Sequence, residues 1–293
     1  LNDGFTGPLT VQVTDADSTS TDKIINTANV DLTITANAAD IDGDDDAITI
    51  TGGSGTDTLV LNNALDGAEA ILADDDGVND RITGVDQINI IDVVSGADVT
   101  LTTADYTNLS AGIPAPVGID ASSLDSGEVF TLAGVLSATA MNVTSGAGDD
   151  GLTGGTKSDT IDGGAGNDTL AGTNGSNVLT GGAGNDAITL GDGADNVSGG
   201  VGNDTIVAGA NLKLTDTIDG GDGVDTLTTG ADISSTTQFG GVSNIEVIAP
   251  AGAFDITANG PLGGAAIFSL ANAAQNVLTL SAGWTADTTV LLS

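Results

Sequence analysis

The sequence predicts an all-β fold of short strands stacked as repeating coils, and three observations predict it. First, from Ser145 to Thr228 the chain falls into nonapeptide frames. Seven run without a gap from 145, 154, 163, 172, 181, 190 and 199, and two more follow at 211 and 220 after an insertion of Ala208, Gly209 and Ala210. Second, position eight is aliphatic in every frame (Leu152, Ile161, Leu170, Leu179, Ile188, Val197, Ile206, Ile218, Leu227), which marks a buried seam. Third, Gly is abundant at 44 residues while helix-forming Lys, Arg, Glu and Gln are nearly missing, so local propensity favours turns and short strands over helix.

Taken in order, residues 1–51 show period-two alternation at Leu9, Val11, Val13, at Val30, Leu32, Ile34, and at Ile48, Ile50. These strands form either a small β domain or further coils. Residues 52–144 open on an isolated frame, GGSGTDTLV (52–60), followed by GVDQINI (84–90). The pair GVDTLTT (223–229) and GVSNIEV (241–247) repeats that module: a Gly-Asp turn opens a strand, a variable excursion follows, and Ile88, Ile90 or Ile245, Val247 begin the next strand. Residues 145–228 are the repeat block. Residues 229–293 are a C-terminal cap of further coils ending in ADTTVLLS (286–293), which reads as a final strand.

Within the block, position six is Asp in eight frames (Asp150, Asp159, Asp168, Asp186, Asp195, Asp204, Asp216, Asp225), with Asn177 the exception. The whole chain carries 41 acidic residues, only three of them Glu, against four basic ones, for a net charge of -37. Nucleic acid and anionic membranes carry the same sign and are poor partners for such a surface, so no nucleic acid is expected. No stretch approaches 18 apolar residues, so no membrane insertion is expected. Leu1 is neither a Met nor the start of a signal peptide, so the chain is read as processed or as a piece of something longer. The absence of Cys and His removes disulfides, thiolate and imidazole metal sites and most nucleophilic triads. An acidic, aromatic-poor chain would normally stay disordered. Here 39% apolar residues and a mean hydropathy of +0.18 argue for folding, so the acid must be neutralised. A divalent cation does this, and Asp is short enough to ligate one from a tight turn.

With Gly at positions one, two and four and Asp at six, these frames resemble the calcium-binding nonapeptide repeats of RTX proteins. The resemblance implies a calcium-stabilised parallel β-roll, or β-solenoid, with flanking irregular β coils, two nonapeptides per coil, and several Ca²⁺ ions between successive turns. It further implies ligation through Gly146, Gly148 and Asp150; Gly155 and Asp159; Gly164, Gly166 and Asp168; Gly182, Gly184 and Asp186; Asp192 and Asp195; Gly200, Gly202 and Asp204; Asp216; and Gly221, Asp222 and Asp225. Glycine frees backbone carbonyls to point inward, and Ca²⁺ takes about 6 to 8 oxygen ligands. With alternate frames on the same edge, frames 145, 163, 181, 199 and 220 are expected to hold a nearly complete row of calcium ions at Asp150, Asp168, Asp186, Asp204 and Asp225. Frames 154, 172, 190 and 211 form a broken one, with Lys157 and Leu214 at position four and Asn177 at position six. The lone frame admits one calcium ion at Asp57 or a plain turn. The same two readings stay open for the acidic runs at Asp40 to Asp46 and at Asp74, Asp75, Asp76 and Asp80.

The interrupted coils are similar to RTX-containing bacterial surface-layer proteins. That likeness implies a secreted, extracellular structural protein that leaves through a type I secretion apparatus and forms a lattice with itself, its cell side held to lipopolysaccharide; no residue is assigned to that anchoring. Residues 286–293 also resemble a type I secretion signal. Two alternatives remain: an adhesin or spacer module, and the export module of a polysaccharide-acting enzyme. Glu69, Glu128 and Glu246 are too scattered to nominate a catalytic pair, so the chain is read as no enzyme. Without cation, stacked aspartates about 4.7 to 4.9 Å apart repel one another, and the roll is expected to be unfolded.

Overall fold

A computed structural model describes residues 8–13, 23–25, 31–37, 49–51, 56–62, 81–83, 87–91, 99–101, 117–132, 140–230, 241–250, 255–258, 267–270, 277–280 and 289–292. These residues contain 26 β-strands and no helix, and every pairing between strands is parallel. The chain divides into two compact units, Leu1–Lys157 and Ser158–Ser293.

In the first unit the odd strands β1 (Leu9–Val13), β3 (Leu32–Asn37), β5 (Thr58–Asn62), β7 (Gln87–Ile91), β9 (Val117–Asp120) and β11 (Met141–Thr144) lie side by side in that order. The even strands form two further sheets: β2 (Lys23–Ile25), β4 (Thr49–Thr51) and β6 (Arg81–Thr83), then β8 (Val99–Leu101), β10 (Phe130–Leu132) and β12 (Gly151–Thr153). Skipping every second strand is the signature of a coil: the chain crosses to the other sheet and returns one level higher. The register aligns one apolar column, Val11, Ile34, Leu59, Ile88, Ile119 and Val143. Of these, Ile34, Leu59, Ile119 and Val143 are buried. The alternation seen in residues 1–51 therefore belongs to further coils. The two-part module appears as adjacent strands, with Thr58 opposite Gln87 and Leu59 opposite Ile88.

The second unit follows the same plan with better regularity. One sheet holds β13 (Thr160–Ala165), β15 (Val178–Ala183), β17 (Asn196–Val201), β19 (Thr217–Asp222) and β21 (Val242–Ser243). The other holds β14 (Thr169–Ala171), β16 (Ala187–Thr189), β18 (Thr205–Gly209), β20 (Thr226–Thr229), β22 (Val247–Pro250), β24 (Ile267–Leu270) and β26 (Thr289–Leu292); β23 (Asp255–Ala258) pairs with β25 (Val277–Leu280). The position-eight residues stack in two columns. Ile161, Leu179, Val197 and Ile218 line one sheet, continued beyond the frames by Val242, while Leu170, Ile188, Ile206 and Leu227 line the other, continued by Ile248. Each is at most 7% exposed, and fully burying a Leu or Ile stabilises by about 1.5 to 3 kcal/mol, so these columns supply a core without aromatics. The insertion at 208–210 is absorbed as a bulge, with Val207 opposite Thr228 and Gly209 opposite Thr229. It lengthens that coil from 18 to 21 residues, the separations of the ladder contacts Asp186–Asp204 and Asp204–Asp225. Residues 286–293 contribute β26 as expected of a last strand, and Ile245 is buried just ahead of β22. Val30, Ile48, the acidic runs 40–46 and 74–80, and residues 52–55 lie outside the described residues.

Candidate metal centre

In the second unit, every turn leading from a long strand of the first sheet to the second sheet reads Gly-Gly-x-Gly-x-Asp: 163–168, 181–186, 199–204 and 220–225. Both later glycines of each turn have positive φ: Gly164 and Gly166, Gly182 and Gly184, Gly200 and Gly202, Gly221 and Gly223. Close approach also requires them: a Cβ on Gly202 would run into the Gly184 carbonyl of the coil below, and φ there is 141°. The N–H groups of Gly166, Gly184 and Gly202 donate at 2.8 Å to the carbonyls of Ala183, Val201 and Asp222, so successive turns sit as close as neighbouring strands.

Along this row Asp168, Asp186, Asp204 and Asp225 are 0 to 2% exposed. Each backbone N–H donates to the carboxylate of the next coil: Asp168 to Asp186 Oδ1, Asp186 to Asp204 Oδ1 and Asp204 to Asp225 Oδ1, all at 2.8 Å. The series ends at Glu246, whose Oε2 accepts the Asp225 N–H at 2.8 Å. One oxygen of Asp186, Asp204 and Asp225 is thus fixed by the backbone, and the other oxygen of each Asp turns toward the first glycine of its own frame. A Cβ built on Gly163 would lie 2.5 Å from Asp168 Oδ2 and 2.7 Å from the Gly181 carbonyl oxygen. Built on Gly199, it would collide with Asp204 Oδ2 and the Gly220 carbonyl. A carboxylate oxygen and a carbonyl oxygen therefore converge on a space that any side chain at that glycine would fill. The Oδ2 atoms of Asp204 and Asp225 are buried there with no hydrogen-bond donor.

The opposite row is built differently. Asp159 donates its N–H to Asn177 Oδ1 (3.0 Å), Asn177 to Asp195 Oδ1 (2.8 Å) and Asp195 to Asp216 Oδ1 (3.0 Å), so the ladder itself is intact. Its turns keep positive φ at Gly175, Gly193 and, unusually, Thr173 (58°). The second side-chain atoms meet different partners. Asn177 Nδ2 donates to the carbonyls of Gly172 (3.1 Å) and Gly175 (3.3 Å), and Asp216 Oδ2 accepts the Lys213 N–H (2.7 Å). Asp195 Oδ2 is buried without a donor. Asp192 is exposed and faces Lys213 at 3.9 Å, and Asp222 is exposed on β19, so neither joins the buried carboxylates. Gly155 lies in the turn before Asp159.

In the first unit Asp150 accepts the Phe130 N–H at Oδ1 (2.6 Å) and the Ser145 hydroxyl at Oδ2. Gly146 and Gly148 pack so closely on the backbones of Leu124 and Glu128 that neither admits a Cβ. Asp57 is buried and accepts the Leu32 N–H at 3.1 Å.

Burial holds the carboxyls of Asp150, Asp195, Asp204 and Asp225 above the ordinary carboxylate range, against the lowering effect of the N–H groups they accept; at Asp225 the nearby Asp204, Glu246 and Asp219 raise it further. Among the described residues no group of three or more acidic side chains is placed to hold a metal ion between them. Each level offers one carboxylate and backbone carbonyls. Such an oxygen-only set of neutral and singly charged donors fits Ca²⁺, and it lacks the nitrogen or sulfur that zinc or copper would select. The donorless oxygens and the space that glycine leaves open beside them thus agree with a calcium site.

Two features escape a reading of the sequence. One is Glu246, whose signal is its 21-residue distance from Asp225, the separation that also relates Asp204 to Asp225. The other is a second ladder at position five, running the opposite way: Asn185 and Asn203 donate their N–H groups back to Asn167 Oδ1 (2.9 Å) and Asn185 Oδ1 (2.7 Å), and Val224 donates to Asn203 Oδ1 (2.8 Å). Its signal was the column of Asn167, Asn185 and Asn203 spaced by 18 residues.

The RTX calcium-binding nonapeptide repeat, in four copies, matches residues 144–179, 171–206 and 215–233. RTX nonapeptide repeats bind Ca²⁺ ions, and Ca²⁺ is the cofactor of this block. No curated protein matches the chain, and no solved structure does.

Proposed function

We propose that the chain is a calcium-dependent structural protein of the bacterial cell surface, exported by a type I system and assembled with its own copies into an S-layer-type lattice. The observation that carries the calcium dependence is the pair of buried, donorless oxygens at Asp204 and Asp225, each facing a carbonyl across a glycine. Asp168, Asp186 and Asp204, with the carbonyls of Gly181, Gly199 and Gly220, and Asp225, with that of Asn244, would hold the ions; bound Ca²⁺ supplies the positive charge that those inward-facing acceptors lack. The chain's own part is to hold each carboxylate in place through the N–H of the preceding coil and to exclude water from the second oxygen.

Extracellular calcium modules bind with dissociation constants of about 10⁻⁴ to 10⁻³ M. At ten times that concentration each site adds roughly 1.4 kcal/mol, so the four sites reach the order of 6 kcal/mol, comparable to the stability of a whole domain. In a low-calcium cytosol this contribution vanishes, which suits a chain that must cross a secretion apparatus unfolded. RTX repeat proteins are generally secreted, and the lack of Cys and His supports a structural role. Negative-stain electron microscopy in millimolar calcium tests the lattice: ordered sheets are expected, and monodisperse rods would favour an adhesin spacer instead. Far-UV circular dichroism in EDTA and then calcium tests the switch; a roll that stays folded at negligible free calcium would overturn it.

A further inference from the structure

We propose that Asn177 is a built-in replacement for a calcium ion, so that one level of the second row closes without metal. The inference rests on reading the two rows as calcium sites.

Asn177 is 1% exposed and takes the place of the position-six Asp in its frame. Its Oδ1 accepts the Asp159 N–H, as Asp204 Oδ1 accepts that of Asp186, so the side chain hangs in the ladder in the ordinary way. The difference lies in the other atom. A Cβ on Gly172 would lie 2.8 Å from Asn177 Nδ2, just as one on Gly220 would lie 2.6 Å from Asp225 Oδ2. The amide nitrogen therefore stands where the Asp frames put a carboxylate oxygen. From there it donates to two carbonyls of its own turn, Gly172 and Gly175, at positions one and four. An amide NH₂ has two donors, and both find acceptors. A carboxylate at 177 would turn a third acceptor toward the same two carbonyls, a buried arrangement that only a cation or a proton can reconcile. Oxygen and NH₂ at this atom are nearly isosteric, so the choice of Asp or Asn at position six decides whether a level is closed by metal or from within.

Calcium stoichiometry by isothermal titration of the full chain, and strand content in EDTA at an ionic strength that screens surface charge, test this. Asn177→Asp is expected to bind one Ca²⁺ more per chain than the wild type and to lose more strand signal in EDTA. Asp204→Asn is the mirror variant, expected to bind one Ca²⁺ fewer and to retain more strand signal in EDTA than the wild type. If the wild type binds calcium but Asn177→Asp binds the same number or fails to fold at saturating calcium, the inference is overturned. It is equally overturned if Asp204→Asn is no more ordered than the wild type in EDTA. A wild type that binds no calcium would instead sink the underlying reading of the rows.

Discussion

Asp186 donates its backbone N–H to Oδ1 of Asp204, 2.8 Å away and one coil further along the chain. The contact gives the position-six carboxylate a second task besides ligation: it ties the turn below to the turn above. Asp204→Ala removes both tasks at once, while Asp204→Asn keeps the acceptor. Leaving the buried Asp186 N–H without a partner costs about 1 to 3 kcal/mol. At saturating calcium, urea unfolding should therefore rank Asp204→Ala below Asp204→Asn by about that amount. Equal midpoints for the two variants would show that the ladder bond carries no weight.

Glycine is required at position four for two separable reasons, and two substitutions separate them. At Gly202 a Cβ meets both an unfavourable φ of 141° and the Gly184 carbonyl. Gly209, in the bulge, has φ 56° and nothing within 4 Å of a built Cβ. Gly209→Ala should cost about 1 to 2 kcal/mol from backbone conformation alone. Gly202→Ala adds overpacking against backbone and should cost about 2 to 5 kcal/mol. Thermal melts in calcium check the order, and similar losses at both positions would mean that coil spacing yields to the extra methyl.

The fold of the repeat block was legible because a nine-residue period imposes itself there: position eight alone predicts the two buried columns, Ile161 to Ile218 and Leu170 to Leu227. In the row from Asp168 to Asp225 the residue types at positions two, four and six were legible, since those turns take glycine at positive φ and Asp fills the ladder. What lay beyond reach was which oxygen goes where. That Oδ1 serves the backbone and Oδ2 faces a glycine depends on the register between coils 18 or 21 residues apart, which no local pattern encodes. The same long-range pairing explains Glu246. It stands after a shortened turn and outside any nonapeptide frame, yet its longer side chain reaches the Asp225 N–H as an Asp would elsewhere.

The position-five ladder should matter for stability but not for metal. Asn185 Oδ1 accepts the Asn203 N–H at 2.7 Å on the exposed side of the turn, away from the buried Oδ2 atoms. Asn185→Ala also removes the Nδ2 bond to Asn167 Oδ1 at 3.3 Å, so it is expected to lower stability by about 1 to 3 kcal/mol, the net worth of two ordinary hydrogen bonds. Calcium stoichiometry by titration should stay at the wild-type value. A lost ion in this variant would place the position-five side chains in the metal shell.

Removing calcium should reverse the protein's response to acid. Burial holds the Asp204 and Asp225 carboxyls above the ordinary 3.8, so in the absence of metal the folded state binds their protons more tightly than the unfolded chain does. The stability this gives is full below about 3.8 and is lost as pH rises through the raised folded values. In EDTA, strand signal should therefore increase as pH is lowered from neutral toward 4. With calcium bound the trend turns over, because protons compete for the same oxygens and acid drives the ion off. Reduced repulsion across a chain of net charge -37 also favours order in acid, so the double variant Asp204→Asn, Asp225→Asn is needed to separate the two effects. Circular dichroism across this pH range in EDTA should show a shallower rise for the double variant than for the wild type. An unchanged slope would assign the acid response to overall charge and leave the buried oxygens without a part in it.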